Sequence, residues 1–333
     1  MSVILFSDPH WNDKPGDAAR WGLIPWLMEQ AAEYKAEAVI CGGDMCDAKD
    51  RHSAVVVNRL ADQLRDLGRE ADVYINMGNH DYLSRDWPFF EFVDMLPNVR
   101  FVAEPQSYKI DGSEWLFLPA TTDWEKDWKG FDFSQYDYLM AHATFEGCLS
   151  ENGTRLSGIP TSIFAGTKAK IYAGDIHVPQ KAGPVEYVGA PYRTRFGDTY
   201  NPRCIILDNA GRARDVAFPC PSKHVLTVRT ITDLEKELRQ CKRGDAIKVR
   251  VRLLRSEQPE WNAMKKEIRD LVQRRGMELV GPENILLDAA KREDEPEEFK
   301  RIDPASLVRR YGRRERVSKA SMEIGFEVLQ EVI

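Results

Sequence analysis

The chain contains the segment Val73-Tyr74-Ile75-Asn76-Met77-Gly78-Asn79-His80-Asp81, in which a short apolar run passes directly into a polar turn. Four other apolar runs, Val3–Phe6, Ala38–Cys41, Tyr138–Ala141 and Lys170–Ala173, end in the same way. Polar residues follow them at Asp8-Pro9-His10, at Gly42-Gly43-Asp44-Met45-Cys46-Asp47, at His142 and at Gly174-Asp175-Ile176-His177. A lone histidine at a strand end is usually structural, but five such endings indicate one site, because the carboxyl ends of neighbouring strands converge. Carboxylate, amide and imidazole donors suit Mn²⁺, Fe²⁺, Zn²⁺ or similar ions.

The rest of the first 221 residues predicts an α/β domain. Helical spacing occurs over Asp17–Lys35, where Pro25 is expected to introduce a kink, and over Ser53–Leu67. From Trp115–Leu118 onward strands dominate, including Val185–Val188, Arg203–Leu207 and Ala213–Phe218. This order favours two stacked sheets with helices outside over one doubly wound sheet.

A second unit is expected after Pro219 and Pro221. The predicted elements are a helix over Ile231–Gln240, a strand over Ile247–Leu254, a basic helix over Glu260–Arg275 and a returning strand over Glu278–Leu287. We therefore expect domains at 1–221 and 222–288, a charged linker at 289–303 and a helical tail at 304–333.

The charge of the chain is unevenly distributed. Of the 333 residues, 47 are basic and 53 acidic, a net charge of −6. Residues 1–221 hold 22 basic and 32 acidic side chains (−10), and 222–333 hold 25 and 21 (+4). The six cysteines form no C-x-x-C pair, which argues against a structural zinc site or a disulfide framework. No apolar run approaches the ~20 residues of a membrane span, and the apolar start at Ser2–Phe6 is too short for a signal peptide. These features predict a cytoplasmic protein.

The series D-x-H, G-D-x-x-D, G-N-H-D, H and G-x-x-H resembles that of the calcineurin-like metallophosphoesterase superfamily. Within it, the chain is most similar to SbcD-type nuclease subunits of double-strand-break repair, which carry a stretch like Tyr187–Asp198 after the last metal motif. The short tail resembles the bacteriophage branch. The resemblance covers roughly residues 1–200 and implies a four-layer αββα sandwich, with a smaller α+β cap domain and a helical C-terminal tail beyond it.

The resemblance also implies a site for two divalent ions. Asp8, His10 and His177 would hold one ion, Asn79 and His142 the other, and Asp44 would bridge them. His80 would be catalytic, facing the phosphate and helping the leaving oxygen depart, while Asp47 and Asp81 would orient the ligands. The family has histidine where this chain has Asp175. Asp175 is expected to ligate the second ion and to favour Mn²⁺ or Mg²⁺, the alternative being a weak second site.

Two basic stretches are expected to contact DNA. Lys248, Arg250 and Arg252 have strand spacing, which places them on one face, and Lys265, Lys266 and Arg269 follow on a helix. The alternative is a solvated face. Such contacts to phosphates would be independent of base sequence and sensitive to salt.

The tail carries Met322, Phe326 and Leu329 at helical spacing. The resemblance implies that it binds an SbcC-type coiled-coil ATPase, the alternative being packing on its own domain. It also implies a homodimer within a heterotetramer, formed around Asp50–Leu67 and Trp87–Leu96. His52, at the start of this region, is expected to be a solvated helix-end residue, the alternative being an approach to the substrate.

The expected function is therefore a manganese-dependent DNA nuclease. The resemblance implies exonuclease action on duplex ends and endonuclease action on single strands, in DNA repair, recombination or phage replication, in the host-cell cytoplasm if phage-encoded. Two alternatives stay open: a metallophosphoesterase acting on phosphoproteins or small phosphodiesters, and a non-catalytic scaffold subunit.

Overall fold

Apolar runs near the start of the chain form strands that are buried on both faces. All five residues of the first strand, Ser2–Phe6, are buried, as expected for the interior of a layered α/β fold. The structure, a computed structural model, describes residues 2–287. The predicted linker and the tail with Met322, Phe326 and Leu329 lie outside the described residues.

Twelve strands form the first two sheets. In chain order they are β1 (Ser2–Phe6), β2 (Ala36–Cys41), β3 (Asp72–Asn76), β4 (Val99–Val102), β5 (Gln106–Ile110), β6 (Ser113–Leu118), β7 (Tyr138–His142), β8 (Lys170–Gly174), β9 (Gln180–Ala182), β10 (Val185–Tyr187), β11 (Cys204–Leu207) and β12 (Ala213–Val216). The first sheet has the order β12-β11-β1-β2-β3-β4 and the second β5-β6-β7-β8-β10-β9. In both, the central strands are parallel and the flanking strands β5, β9, β11 and β12 pair antiparallel.

The two sheets pack face to face. Leu5 and Ile40 of the first sheet meet Phe117 and Met140 of the second in one apolar core. The alternate residues of the first sheet, such as Ile4, face the other way, toward the helices. This alternation is the two-residue period of a strand, and it confirms the stacked sheets.

Helices cover the outer faces unequally. The first sheet is covered by α1 (Leu23–Tyr34) and α2 (Ala54–Glu70), and α2 buries the stripe Val56, Leu60, Leu64 and Leu67. The second sheet is covered by the short helix α3 (Trp124–Asp127), two 3₁₀ turns and loops. The four-layer arrangement is thus confirmed, with a thin fourth layer.

A third sheet follows. It contains β13 (Lys223–Val228), β14 (Ala246–Leu254) and β15 (Glu278–Leu279) in that order, and β16 (Glu283–Leu287) pairs with β14. Two helices, α4 (Ile231–Glu237) and α5 (Trp261–Arg274), pack on one face of it. The pairings β13–β14 and β14–β15 are parallel, with α4 and α5 as their connections, which is a βαβ arrangement rather than the segregated helices and strands of the expected α+β unit.

Several predicted elements differ in detail. The helix expected over Asp17–Lys35 is a 3₁₀ turn (Pro15–Gly22) followed by α1. Pro25 lies in the first turn of α1, where its missing N–H breaks no helical hydrogen bond. The strand expected over Glu278–Leu287 is interrupted and forms β15 and β16. Four strands, β4, β5, β9 and β13, were not predicted from the sequence.

Among the described residues, no helix is long and apolar enough to cross a bilayer. All six cysteines are free thiols.

Candidate metal centre

Side chains at the carboxyl ends of β1, β2, β3 and β8 line one cavity of about 310 Å³. The predicted residues among them are His10, Asp44, Asp47, Asn79, His80, Asp175 and His177. Two more predicted residues, Asp8 and His142, are buried and contact this set from behind. The structure therefore brings the predicted metal ligands together.

The first cluster contains Asp8, His10 and His177, whose donor atoms lie within 4.8 Å of one another. The two Nε2 atoms of His10 and His177 are 3.0 Å apart. Asp8 Oδ1 accepts the backbone N–H of Asp175 at 3.1 Å, and Asp8 Oδ2 is buried without a hydrogen-bond partner among the described residues. An orphaned buried carboxylate oxygen is costly, so this cluster fits a divalent cation.

The second cluster contains Asn79, His142 and Asp175. Asn79 Nδ2 donates to Asp175 Oδ1 at 3.4 Å, which leaves Asn79 Oδ1 buried and unpaired within the described chain. His142 Nδ1 contacts the carbonyl oxygen of Gly42 at 2.7 Å, so that Nε2 faces the cluster, 3.9 Å from Asp175 Oδ1. Asp175 Oδ2 accepts from the Thr144 hydroxyl. These donors fit a second cation.

Asp44 lies between the two clusters. Its Oδ2 is 3.5 Å from His10 Nε2 of the first cluster, and its Oδ1 is 3.4 Å from His142 Nε2 of the second. A carboxylate whose two oxygens face two ligand sets can bridge ions about 3.5–4 Å apart.

The turns that carry the ligands are sterically demanding. Asp8, His10, Asp44 and Asp175 have φ of 54°, 44°, 56° and 85°, in the left-handed region, which few residues other than glycine adopt at no cost. A Cβ atom on Gly78 would lie 2.2 Å from Asp44 Oδ1 and 2.9 Å from His142 Cε1. Only glycine therefore fits beside the bridging carboxylate.

Burial and mutual repulsion shift the titration of these groups. Burial raises the pKa of Asp44, and the Asp8 and Asp81 carboxylates raise it further against the opposing effect of His142. Burial alone would lower the pKa of His142, but Asp44, Asp8 and Asp175 raise it to about 9. Carboxylates packed this closely without water need compensating positive charge, which protons or divalent cations can supply.

The pKa of His10 shifts in the opposite direction to that of His142. Burial lowers its pKa well below the usual value, and His177 and His80 lower it further. The neutral imidazole that results has a free lone pair, which is the state that binds metal.

His80 stands at the cavity wall with its orientation fixed. Its Nδ1 contacts the backbone oxygen of Asp47 at 2.9 Å, and its backbone N–H donates to Asp44 Oδ1 at 2.8 Å. The Asp47 carboxylate itself pairs with Lys14 at 2.6 Å. Asp47 thus touches His80 through its main chain, and its side chain touches none of the other ligands in the contacts described.

Asp81 joins two ligand loops. Its buried carboxylate accepts the backbone N–H of Gly78 at 2.7 Å, of Asp44 at 3.0 Å and of Met45 at 2.9 Å. It therefore holds the Gly78–Asn79 turn against the Asp44 turn.

Four residues near the cavity were not among the predicted site residues. Glu151 lies 3.0 Å from His177 Nδ1, and the hydroxyl of Thr194 is 3.2 Å from the same atom. Buried Arg20 donates to the carbonyl oxygens of His10 at 2.9 Å and Thr194 at 2.7 Å. Lys223 of the third sheet donates to Thr194 O at 3.1 Å. Only Thr194 lies in a stretch that the resemblance singles out.

The six predicted DNA contacts lie on two surfaces. Lys248, Arg250 and Arg252 alternate with buried residues of β14, as the spacing predicts, and Lys248 and Arg250 pair with Glu283 at 2.8 and 3.2 Å. The buried face of β14 packs against α5, which carries Lys265, Lys266 and Arg269. The three basic residues of β14 and the three of α5 therefore lie on opposite sides of the sheet.

His52 is half-buried rather than solvated, because its ring packs on Phe89 and Phe90 with centroids 4.3 and 4.9 Å apart. The expectation of a solvated helix-end histidine is wrong. The ring of His52 is covered because Phe89 and Phe90 belong to a 3₁₀ turn, Phe89–Met95, which is distant from His52 in the sequence.

Comparisons with known proteins give a family, a relative and a solved structure that are similar to this chain. The family of calcineurin-like phosphoesterases matches residues 1–184. A relative called exonuclease subunit 1, from Enterobacteria phage T4, is 23% identical over 221 residues, which are 61% of this chain and 63% of the relative. The chain thus spans less than two thirds of that relative's length. A solved structure described as a novel archaeal phosphodiesterase has 16% identity and a TM-score of 0.38, and the match covers 66% of this chain and all of the other.

Proposed function

The chain belongs to the calcineurin-like phosphoesterase family, and on that premise we propose that it is a metal-dependent DNA nuclease. The bridging position of Asp44 carries this proposal, since each of its oxygens faces a different cluster of metal donors. The reaction would be hydrolysis of phosphodiester bonds, exonucleolytic at duplex ends and endonucleolytic in single strands.

The donor set favours two divalent ions. Asp8, His10 and His177 would hold the first, Asn79, His142 and Asp175 the second, and Asp44 both. The ions, when bound, supply positive charge at the phosphate and lower the pKa of water toward 7. Because Asp175 adds an oxygen donor where the family has histidine, we propose Mn²⁺, with Mg²⁺ as the alternative.

His80 would be the catalytic residue that belongs to the protein itself. The backbone oxygen of Asp47 fixes Nδ1, so Nε2 is the free ring nitrogen toward the cavity. When the ring is doubly protonated, Nε2 can donate a hydrogen bond to a phosphate oxygen and then give its proton to the leaving oxygen, which leaves a neutral ring with Nδ1–H on the Asp47 carbonyl oxygen. Asp81 would hold the turn that carries Asp44 against the turn that carries Asn79, as its three hydrogen bonds to backbone N–H groups indicate.

DNA is the proposed substrate for two reasons. The phage relative is an exonuclease subunit by name, and the third sheet presents Lys248, Arg250 and Arg252 on the face opposite to α4 and α5. Lys223 belongs to that same face, because it pairs in register with Ala246, and it reaches Thr194 at the cavity wall. We propose that this face, within a cap domain at 222–288, guides DNA to the nuclease domain at 1–221, and that Lys265, Lys266 and Arg269 form a secondary contact.

The proposed assembly is a homodimer with an SbcC-type ATPase. Four large apolar side chains are exposed on two segments, Val55 of α2 at 65% and Leu83, Trp87 and Met95 at 70%, 81% and 83%. His52 links these segments through Phe89 and Phe90, and an exposed patch of this kind marks an interface. We propose that the ATPase binds the tail at 304–333, through Met322, Phe326 and Leu329, beyond a linker at 289–303.

Digestion of linear duplex DNA with Mn²⁺ tests this function. The wild-type protein should shorten DNA, and His80→Ala should lose about 10²–10⁴-fold in rate while retaining the metal content of the wild type. A chromogenic phosphodiester serves as the second substrate. Cleavage of that compound without any cleavage of DNA would refute the nuclease, and absence of both activities with metal bound would favour a scaffold.

A further inference from the structure

Glu151 is placed beside the metal centre by a loop that the sequence analysis did not connect to it. The segment 143–160 folds back on itself, with β-bridges between Phe145 and Ile159 and between Leu149 and Arg155. Gln180 anchors the loop by contacting both the N–H and the C=O of Leu149 at 2.7 Å. The tip that carries Glu151 is therefore held by main-chain contacts.

The hydrogen bonds around His177 determine which ring nitrogen carries the proton. Glu151 Oε1 lies 3.0 Å from His177 Nδ1. The Thr194 hydroxyl, 3.2 Å from Nδ1, donates its proton to Asp198 Oδ2 at 3.2 Å and so acts as an acceptor toward the ring. Both neighbours accept, so Nδ1 carries the hydrogen. Nε2, which faces His10 Nε2 at 3.0 Å, is left with its lone pair.

His177 differs in this respect from the other histidines of the centre. Nδ1 of His142 contacts the carbonyl oxygen of Gly42, and Nδ1 of His80 that of Asp47. Nδ1 of His10 has no hydrogen-bond partner among the described residues. Only His177 of these four contacts a carboxylate through Nδ1, and a carboxylate makes the imidazole a stronger metal donor than a carbonyl does.

We propose that Glu151 is a positioning residue for the first metal ion. It fixes the tautomer and the plane of His177 and increases its basicity, which strengthens the cluster of Asp8, His10 and His177. Glu151 is assigned no ligand role, because it contacts His177 at Nδ1, whereas Nε2 is the nitrogen that faces His10. The inference rests on the proposed metal function, and it assigns the loop 143–160 a role in metal affinity.

This role is tested by titrating the metal-free protein with Mn²⁺ in a calorimeter, in the absence of DNA. Glu151→Ala should weaken one of the two binding events about 10–100-fold and leave the other unchanged. Glu151→Gln keeps an acceptor for Nδ1–H but removes the charge, so it should recover the part of the affinity that depends on the tautomer and not the part that depends on the carboxylate. Glu146→Ala is the matched control, since Glu146 is an exposed carboxylate of the same loop.

The ring proton gives a second readout in the metal-free protein. In ¹H–¹⁵N spectra of the histidine rings, the Nδ1–H signal of His177 should be protected in the wild type and in Glu151→Gln and exchange rapidly in Glu151→Ala. Wild-type Mn²⁺ affinity at both sites in Glu151→Ala would overturn the proposal, as would equal losses in the two Glu151 variants. Neither measurement involves DNA, so a failed nuclease assay leaves this outcome intact.

Discussion

Replacing Asp81 by asparagine isolates the contacts that hold the two ligand turns together. The Asp81 carboxylate accepts three backbone N–H groups: Gly78 and Asp44 on Oδ2, and Met45 on Oδ1. Asparagine has nearly the same shape but only one acceptor oxygen. If that oxygen keeps Gly78 and Asp44, the side-chain NH₂ faces the N–H of Met45, and two donors oppose each other.

The free-energy cost of Asp81→Asn follows from the number of hydrogen bonds that it removes or weakens. One buried N–H left unpaired costs about 1–3 kcal/mol. The two remaining hydrogen bonds change from charge-assisted to neutral and lose about 1 kcal/mol each. Burial raises the pKa of Asp81, which means that the charge is costly to bury, and its removal offsets part of the loss. We expect a net destabilisation of about 2–4 kcal/mol.

In urea unfolding of the metal-free protein, this destabilisation should lower the midpoint concentration of urea and leave the m-value unchanged. Asp86→Asn is the control, because Asp86 is exposed in the same loop. Mn²⁺ affinity should fall together with stability, since Asp44 and Asn79 lie on the two turns that Asp81 joins. A stability loss no larger than that of Asp86→Asn would refute the bridging role of Asp81.

Four other expectations follow from the geometry. Asp175→Ala should reduce the bound metal from two ions to one per chain in elemental analysis, and unchanged stoichiometry would exclude Asp175 as a ligand. Asp17→Asn should cost about 3–5 kcal/mol at pH 7, because it removes the carboxylate that pairs with Lys223 and with buried Arg20. Although burial would raise the pKa of Asp17, Lys223 and Arg20 lower it. This stabilisation is therefore present above about pH 4 and should vanish as pH falls further, which thermal melts of both proteins would detect. Trp87→Asp should convert a dimer to a monomer in light scattering, and a monomeric wild type would contradict the proposed interface. Removing metal with EDTA should lower Tm, because binding at 100 times Kd stabilises the fold by about 2.7 kcal/mol; an unchanged Tm would contradict a metal shared between the sheets.

The sequence predicted the parts of the site that depend on local order. Each ligand turn follows an apolar run directly, as Asn79 follows β3 and Asp175 follows β8. Strand ends of one sheet lie side by side, so the neighbours within each sheet could be inferred without knowing any distance, whereas the meeting of Asn79 with Asp175 also depends on how the two sheets pack. The role of Asp81, which lies two residues from Asn79, was implied by the family resemblance and not by the strand pattern.

The sequence could not predict contacts made by distant loops. Glu151 lies in a polar turn with no periodic pattern, and its approach to His177 depends on how Gln180 anchors the loop. Lys223 meets Asp17 across more than 200 residues, and nothing near either residue indicates the other. Similarly, strand spacing predicted that Lys248 and Arg250 share a face but not which face α5 would cover.

The metal centre depends on the packing between the sheets as much as on its ligands. The first cluster combines Asp8 and His10, which follow β1, with His177, which follows β8 of the other sheet. The side chain of buried Asn76, at the end of β3 in the first sheet, also reaches the second sheet. It donates to the carbonyl oxygens of Leu118 and Met140 at 3.2 and 3.3 Å. Since the distance between the sheets sets the distance between the donors, apolar core residues such as Leu5 and Met140 help to determine whether two cations fit. The core that defines the fold therefore also sets the spacing on which the chemistry depends.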